Sequence, residues 1–291
     1  MKKKIVFMLM VLVYLFVSNT SYGDQRVVAE KITQAPVIDG KPDESLWEEV
    51  QAIVSHDDIA DIDITLKAAY TDEEIFFLVT FPDPDESRMH KEWIWDKDAD
   101  MYKTGPSRED TFVFKWNMEP APVDLSVYSD DPYITDVWFW KACRTDPVGF
   151  ADDKIQALAL IKNPKARELT SKSGSTMYLQ RLGDEGRAAY KDVLFIEYKG
   201  DIVPNFENQT PTGSRADIRA KGSWSSGRWA IEFRRLLNTG NADDIQFVPG
   251  KSYQFGITRY EIAGRSPDPT TTQPLYGCGD VTEVLTLEFG E

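Results

Sequence analysis

Short runs in which apolar and polar residues alternate, cut by clusters of turn residues, constrain this chain more than any other feature. DTFVFKW (110–116) carries Phe112, Phe114 and Trp116 on one face and Val113 and Lys115 on the other, a period of two that suits a strand. ITLKAAY (64–70) and EIFFLVTF (74–81) are strand-length runs rich in Ile, Phe, Val and Thr, separated by Thr71-Asp72. DVLFIEY (192–198), RWAIEFRR (228–235), SYQFGITRYE (252–261) and VLTLEFG (284–290) repeat the theme. Between them lie Gly-, Pro- and Asn-rich stretches such as PNFENQTPTGS (204–214) and GRSPDPTTTQP (264–274). Helical pattern is scarce, with Asp43 to Val50 the one short helix expected, capped by Asp43. The reading is all-β: a single antiparallel β-sandwich from about residue 27 to 290 with few short helices.

The first 23 residues, MKKKIVFMLMVLVYLFVSNTSYG, have the layout of a secretory signal peptide. Lys2, Lys3 and Lys4 precede the apolar run Ile5 to Val17, and Ser21-Tyr22-Gly23 offers a small-residue cleavage site. The run is short for a bilayer span, so a periplasmic or secreted chain with no membrane span after cleavage is expected. Residues 24–291 read as one domain, since no linker divides them. The formal charge of −15 becomes more negative once the three lysines are removed, which argues against nucleic acid and anionic lipid as partners. Such a surface suits a basic partner, for example a cationic electron-transfer protein.

Motifs for catalysis are absent from the sequence. It has no P-loop, no Gly-x-Ser-x-Gly, no Gly-x-Gly-x-x-Gly and no His-Glu-x-x-His, so a binding or electron-transfer role is expected over enzymatic chemistry. Without Cys-x-x-Cys-His, covalent c-type haem is excluded. His56 and His90 are too far apart for a helical metal pair, and His90, within SRMHKEWIW, is the better ligand candidate of the two. Acidic pairs such as Asp152-Asp153, Asp83/Asp85 and Asp96/Asp98/Asp100 have calcium chemistry but say little in so acidic a chain. Cys143 and Cys278 can form one disulfide in an oxidising compartment, or stand as two buried thiols.

DVWFWKACRTDPVGFADD (136–153) is the densest stretch. Trp138 and Trp140 share one strand face, Phe139 and Lys141 the other, and Arg144 and Asp146 can tie a turn that Pro147 and Gly149 shape. By residue chemistry alone this is core packing plus a structured turn. The stretch nevertheless resembles the Asp-x-Trp-His-Trp-Lys-Ala…Arg…Pro-x-Gly-Tyr-Ala-Asp-Asp pattern of the ethylbenzene-dehydrogenase-like haem-binding family. That family includes γ subunits of dimethyl-sulfoxide-reductase-type enzymes and haem domains of some cytochromes. SREDTFVFKWNME (107–119), GSRADIRAKGSWSSGRWAIEFRRLLNTGNADDIQF (213–247) and PGKSYQFGITRYE (249–261) are similar to further segments of the same family. APVIDGKPDESLWEEV (35–50) resembles the opening of family-nine carbohydrate-binding modules, whose sandwich this family shares, and serves as a plug over a sheet edge.

The resemblance implies a β-sandwich holding one non-covalent b-type haem and exchanging electrons with a redox partner, a molybdenum-enzyme complex or a cytochrome. It implies an iron held by a methionine upstream of the Trp stretch and a lysine near the last strand. Phe139 stands where the family has histidine, and Gly277-Cys278-Gly279 about where it has its lysine. The residues expected at the cofactor are Trp138, Phe139, Trp140 and Lys141 as the wall of the slot. Met118 is the expected axial donor, opposed by Lys251 or Cys278, with Met101 a further stand-in. The alternative is a glycan- or ligand-binding sandwich without haem, using Trp93, Trp95 or Trp138 as stacking platforms.

Overall fold

A computed structural model describes residues 25–57, 62–260 and 285–290. The signal sequence and Cys278 lie outside these residues.

Strands account for most of the regular structure. In chain order they begin with β1 (Gln25–Lys31), β2 (Ile53–Asp57), β3 (Ile62–Tyr70), β4 (Glu74–Pro82), β5 (Trp93–Asp96) and β6 (Met101–Thr104). The middle of the chain gives β7 (Thr111–Asn117), β8 (Tyr133–Lys141), β9 (Asp152–Ala159), β10 (Arg167–Thr170), β11 (Thr176–Gly183) and β12 (Tyr190–Asp192). The last six are β13 (Ile202–Val203), β14 (Phe206–Asn208), β15 (Arg219–Ser225), β16 (Arg228–Leu236), β17 (Tyr253–Tyr260) and β18 (Leu285–Phe289).

One large sheet runs β10-β11-β9-β8-β7-β17-β18-β1-β3-β4-β16-β15, with β2 beside β3. Its ladders are antiparallel except at β1, which lies parallel to both β18 and β3. The sheet folds over so that β7 and β8 face β4 and β16. Phe114 of β7 meets Phe233 of β16 at 5.1 Å and Phe77 of β4 at 4.9 Å, and Trp140 of β8 meets Trp229 of β16 at 4.9 Å. The result is the expected all-β sandwich, with a core built from the inward member of each alternating pair.

Three local expectations need adjusting. The helix spans Leu46–Glu49 and follows Ser45 rather than Asp43. Its Trp47 packs on Ala69, Phe76 and Leu78 from the outer face of β3 and β4. DVLFIEY forms no strand beyond Asp192: its apolar residues are continuous, Phe195 packs 6.0 Å from the Tyr102 ring, and Leu194 and Ile196 stay exposed. Finally, β7 is buried on both faces: Lys115 donates from Nζ to Tyr133 Oη at 2.6 Å and to the Leu125 carbonyl under the covering 118–132 loop. Among the described residues no helix is long and apolar enough to cross a membrane.

Candidate functional site

Alternation along β8 sends Asp136, Trp138 and Trp140 inward and Phe139 and Lys141 outward. Trp138 and Trp140 are fully buried. Trp138 lies 5.3 Å from Trp116 and 5.9 Å from Phe77, so neither tryptophan has a free face for a flat cofactor or a sugar. The aromatic slab expected as a cofactor wall is core. What the stretch builds is the turn after it. Trp140 Nε1 donates to Asp146 Oδ1 at 3.0 Å, which also accepts the Gly222 amide at 2.6 Å. Asp146 Oδ2 accepts Arg88 Nη1 at 2.7 Å and Lys221 Nζ at 3.2 Å. Gly222 is required by the close approach: a Cβ there would sit 2.6 Å from the Trp140 ring.

On the outer face Lys141 is buried and donates to Asp152 Oδ2 at 2.5 Å and Tyr190 Oη at 3.1 Å, with its ammonium 4.5 Å from the Phe139 ring centre. Arg215 Nε holds the other oxygen of Asp152 at 2.8 Å. Burial pushes the Lys141 ammonium down to about 8, against the pull of Asp152. Lys141 is thus committed to an ion pair that pins β12 onto β8 and β9.

Beyond Lys141 the chain turns at Glu109, whose Oε2 accepts the amides of Cys143 at 2.7 Å and Arg144 at 3.0 Å, while Oε1 takes Arg144 Nε. The Arg144 guanidinium lies 5.1 Å from the Tyr190 ring and 5.2 Å from the Phe206 ring. These contacts frame a cleft of 220 Å³ lined by Met89, His90, Cys143, Val203 and Phe206 among others. Met89 is half exposed there. His90 is buried 5.6 Å from Phe206, and its Nδ1 lies 3.4 Å from Glu109 Oε1. Burial, with the positive charges of Arg144, Lys91, Arg108 and Lys141, holds His90 neutral down to about 2. Burial and Glu109 push the Cys143 thiol up to about 11, so it stands as a thiol. Sequence reasoning passed over Met89: no spacing distinguished it from the other methionines, and only the fold brings residues 88–92 beside the end of β8.

Met118 and Lys251 do come together, but elsewhere. They share an open hollow of 520 Å³ with Pro120, Gln246 and Tyr253, Met118 half-buried and Lys251 exposed. That hollow is at the far end of β7 from the Lys141 turn, roughly 20 Å away for seven residues. Met101, the further stand-in, is exposed on β6. The pairing of Cys143 with Cys278, and Cys278 as a ligand, fall outside the described residues. Trp93 and Trp95 lie on the small sheet β13-β5-β6, both partly covered. A haem asks for an apolar slot and a soft or nitrogen donor. The cleft at Met89 has a half-exposed thioether among apolar side chains, and its imidazole faces Glu109. The Met118 hollow has both donors and one ring, Tyr253.

No curated protein matches the chain in sequence. Among solved structures, a family-nine carbohydrate-binding module from Caldicellulosiruptor kristjanssonii in complex with cellotriose superposes with a TM-score of 0.39 at 10% identity, covering 92% of this chain and 95% of that one. The same module in complex with glucose gives 0.40 at 10% identity, with 92% and 97% covered. Likeness that loose transfers no binding site. The sequence profile described as Ethylbenzene dehydrogenase, by contrast, matches residues 36–264, a span that takes in the Trp stretch, the Glu109 turn and the β15–β16 hairpin behind them: the chain belongs to the ethylbenzene dehydrogenase family.

Proposed function

We propose that the chain is a b-type haem protein that exchanges electrons with a partner, and that Met89 is the iron's protein ligand on the described side. The observation that carries the reading is the cleft at the end of β8, where a half-exposed thioether sits among apolar neighbours beside the family's own Trp stretch. Bound there, the haem would supply one-electron redox chemistry, and a methionine ligand tends to raise its potential. The chain's residues hold the donor in position. Arg88 is tied to Asp146 and to the Ala142 carbonyl, which fixes the backbone next to Met89. Phe206 and Val203 exclude water, and His90, kept neutral, adds no charge to the cleft. The strand β17 ends at Tyr260 opposite Thr111, itself opposite Lys141, so the end of β17 lies on this same side of the sheet. The exposed Leu194, Ile196 and Ile202 supply apolar surface for docking against a partner protein.

The test is haem uptake by the purified chain, with Met89→Ala and Met118→Ala compared by their Soret and α bands. The reading expects uptake by the parent, shifted or lost bands in Met89→Ala, and parent-like bands in Met118→Ala. A reversed pattern would return the ligand role to Met118. Absence of uptake by the parent would favour a glycan- or ligand-binding sandwich, in which Trp93 and Trp95, but not the buried Trp138, remain available for stacking.

A further inference from the structure

Two residues before Trp138, Asp136 occupies the same core-facing side of β8, and Asp153 of β9 pairs with Trp138 across the ladder. Both are fully buried. Asp244, from the loop between β16 and β17, is buried beside them, and one oxygen from each of Asp136, Asp153 and Asp244 lies within 4.8 Å of the other two. That spacing is about twice a calcium–oxygen bond of roughly 2.4 Å, so a single ion can touch all three.

The hydrogen bonding is divided in a way that ordinary packing leaves unexplained. Asp136 uses Oδ2 for Arg235 Nη1 at 2.6 Å and the Ile245 amide at 3.1 Å, and leaves Oδ1 with no partner. Asp244 uses Oδ2 for Thr239 Oγ1 at 2.5 Å and likewise leaves Oδ1 bare. Asp153, with no exposed surface, has neither oxygen satisfied, and nor does Asp184, whose amide donates to the Asp153 carbonyl at 3.2 Å. Buried carboxylate oxygens are normally hydrogen-bonded, so several bare ones directed at each other call for a missing positive partner. Arg235 is the guanidinium within the cluster, and it already serves Asp136 and the Ile245 carbonyl.

We infer that Asp136, Asp153 and Asp244, with Asp184 adjacent, form a binding site for one calcium ion that clips the 238–246 loop onto β8 and β9. The donor set is all hard oxygen, without nitrogen or sulfur, which selects calcium or magnesium over softer ions. Ligands arriving from a strand pair and two loops favour the larger, less exacting coordination of calcium over a strict octahedron. The protein-facing oxygens of Asp136 and Asp244 act as tethers that orient the bare ones, as outer hydrogen bonds do around known metal ligands. Burial lifts Asp136 to about 6 and Asp184 to about 7, and raises Asp153 well above the usual carboxylate range with Asp136 and Asp244 adding to it. The site is on the opposite face of the sheet from the Lys141–Asp152 pair and does not depend on the haem reading.

The experiment uses the full mature chain, stripped with EDTA and titrated with calcium chloride by calorimetry, with melting followed in EDTA, calcium and magnesium. The expected result is one calcium per chain, a higher melting temperature in calcium than in EDTA, and a smaller effect of magnesium. Asp153→Asn should weaken calcium binding at least about tenfold and cancel the calcium-dependent shift, whereas Asp85→Asn on the surface should keep both. If the parent gives no heat and melts identically in EDTA and calcium, the cluster is a proton-sharing network and the inference is wrong. Asp153→Asn melting at or above the parent in calcium would overturn it equally. Should that variant fail to fold, the parent titration decides alone.

Discussion

At the scale of single residues, the family pattern is mostly scaffolding, and its acids act as hubs. Asp146 is fully buried and accepts from Trp140, Gly222, Arg88 and Lys221, so one carboxylate joins β8, β15 and the segment that carries Met89. Asp146→Ala would leave the buried Trp140 and Gly222 N–H groups without an acceptor and take the partner from two part-exposed cations, and should cost about 2–3 kcal/mol in urea unfolding. The same change should disturb the absorption bands of any bound haem through Arg88, which a purely structural change elsewhere would not do. The turn-forming role of Asp146 was legible from its place before Pro147 and Gly149. The partner of Arg144 was not, because Glu109 is 35 residues away and no local spacing announces it. The tryptophans misled for a related reason. A strand with two wide rings on one face reads the same whether that face meets a cofactor or another sheet, and only the opposing β4 and β16 decide it.

At the scale of elements, period-two alternation identified β7, and strand-length runs of β-forming residues between turn signals identified β3, β4, β16 and β17. The same kind of run misled at DVLFIEY, a continuous apolar stretch in which β12 ends at Asp192 and Leu194 and Ile196 stay exposed. The candidate site was only partly legible: the stretch that frames it stood out, whereas the donor at Met89 and the aspartate cluster depend on contacts across the fold. The outer face of β8 and β9 also gives a pH-dependent prediction. Burial works against the charged form of Asp152, but Lys141, Lys154 and Arg215 overcome it and hold the carboxyl well below the usual carboxylate range. A depressed acid gives stability that is present above its unfolded value near pH 4 and lost as the pH falls further. Asp152→Asn should therefore lose about 3–5 kcal/mol at pH 7, where a buried lysine is left without its partner, and the gap to the parent should narrow at pH 3. Urea midpoints at the two pH values measure it, and an equal loss at both would refute the ion-pair account.

For the whole molecule, the most consequential strand is the last one. β18 lies between β17 and β1, and β1 in turn joins β3, so among the described strands the ladder from the half carrying the cleft to the half carrying β4 and β16 runs through β18 and β1, with one isolated bridge, Phe150 to Arg219, at the other side. Leu285 and Leu287 of β18 are fully buried, the Gly290 amide donates to the Ala29 carbonyl at 2.9 Å, and Tyr70 Oη donates to the Gly290 carbonyl at 2.8 Å. A charge at this seam leaves a buried carboxylate unpaired and breaks the longer of the two ladders that hold the first strand. β10, by contrast, is an outer edge strand with mostly exposed side chains, paired on one side alone. Leu287→Asp should abolish cooperative melting, followed by the strand signal in circular dichroism and by dye binding to exposed apolar surface. Thr170→Asp on β10, where the side chain is exposed, should melt cooperatively within about 1–2 kcal/mol of the parent, since the new charge can reach water. If the two substitutions cost the same, the two halves fold independently and the seam is not what joins them.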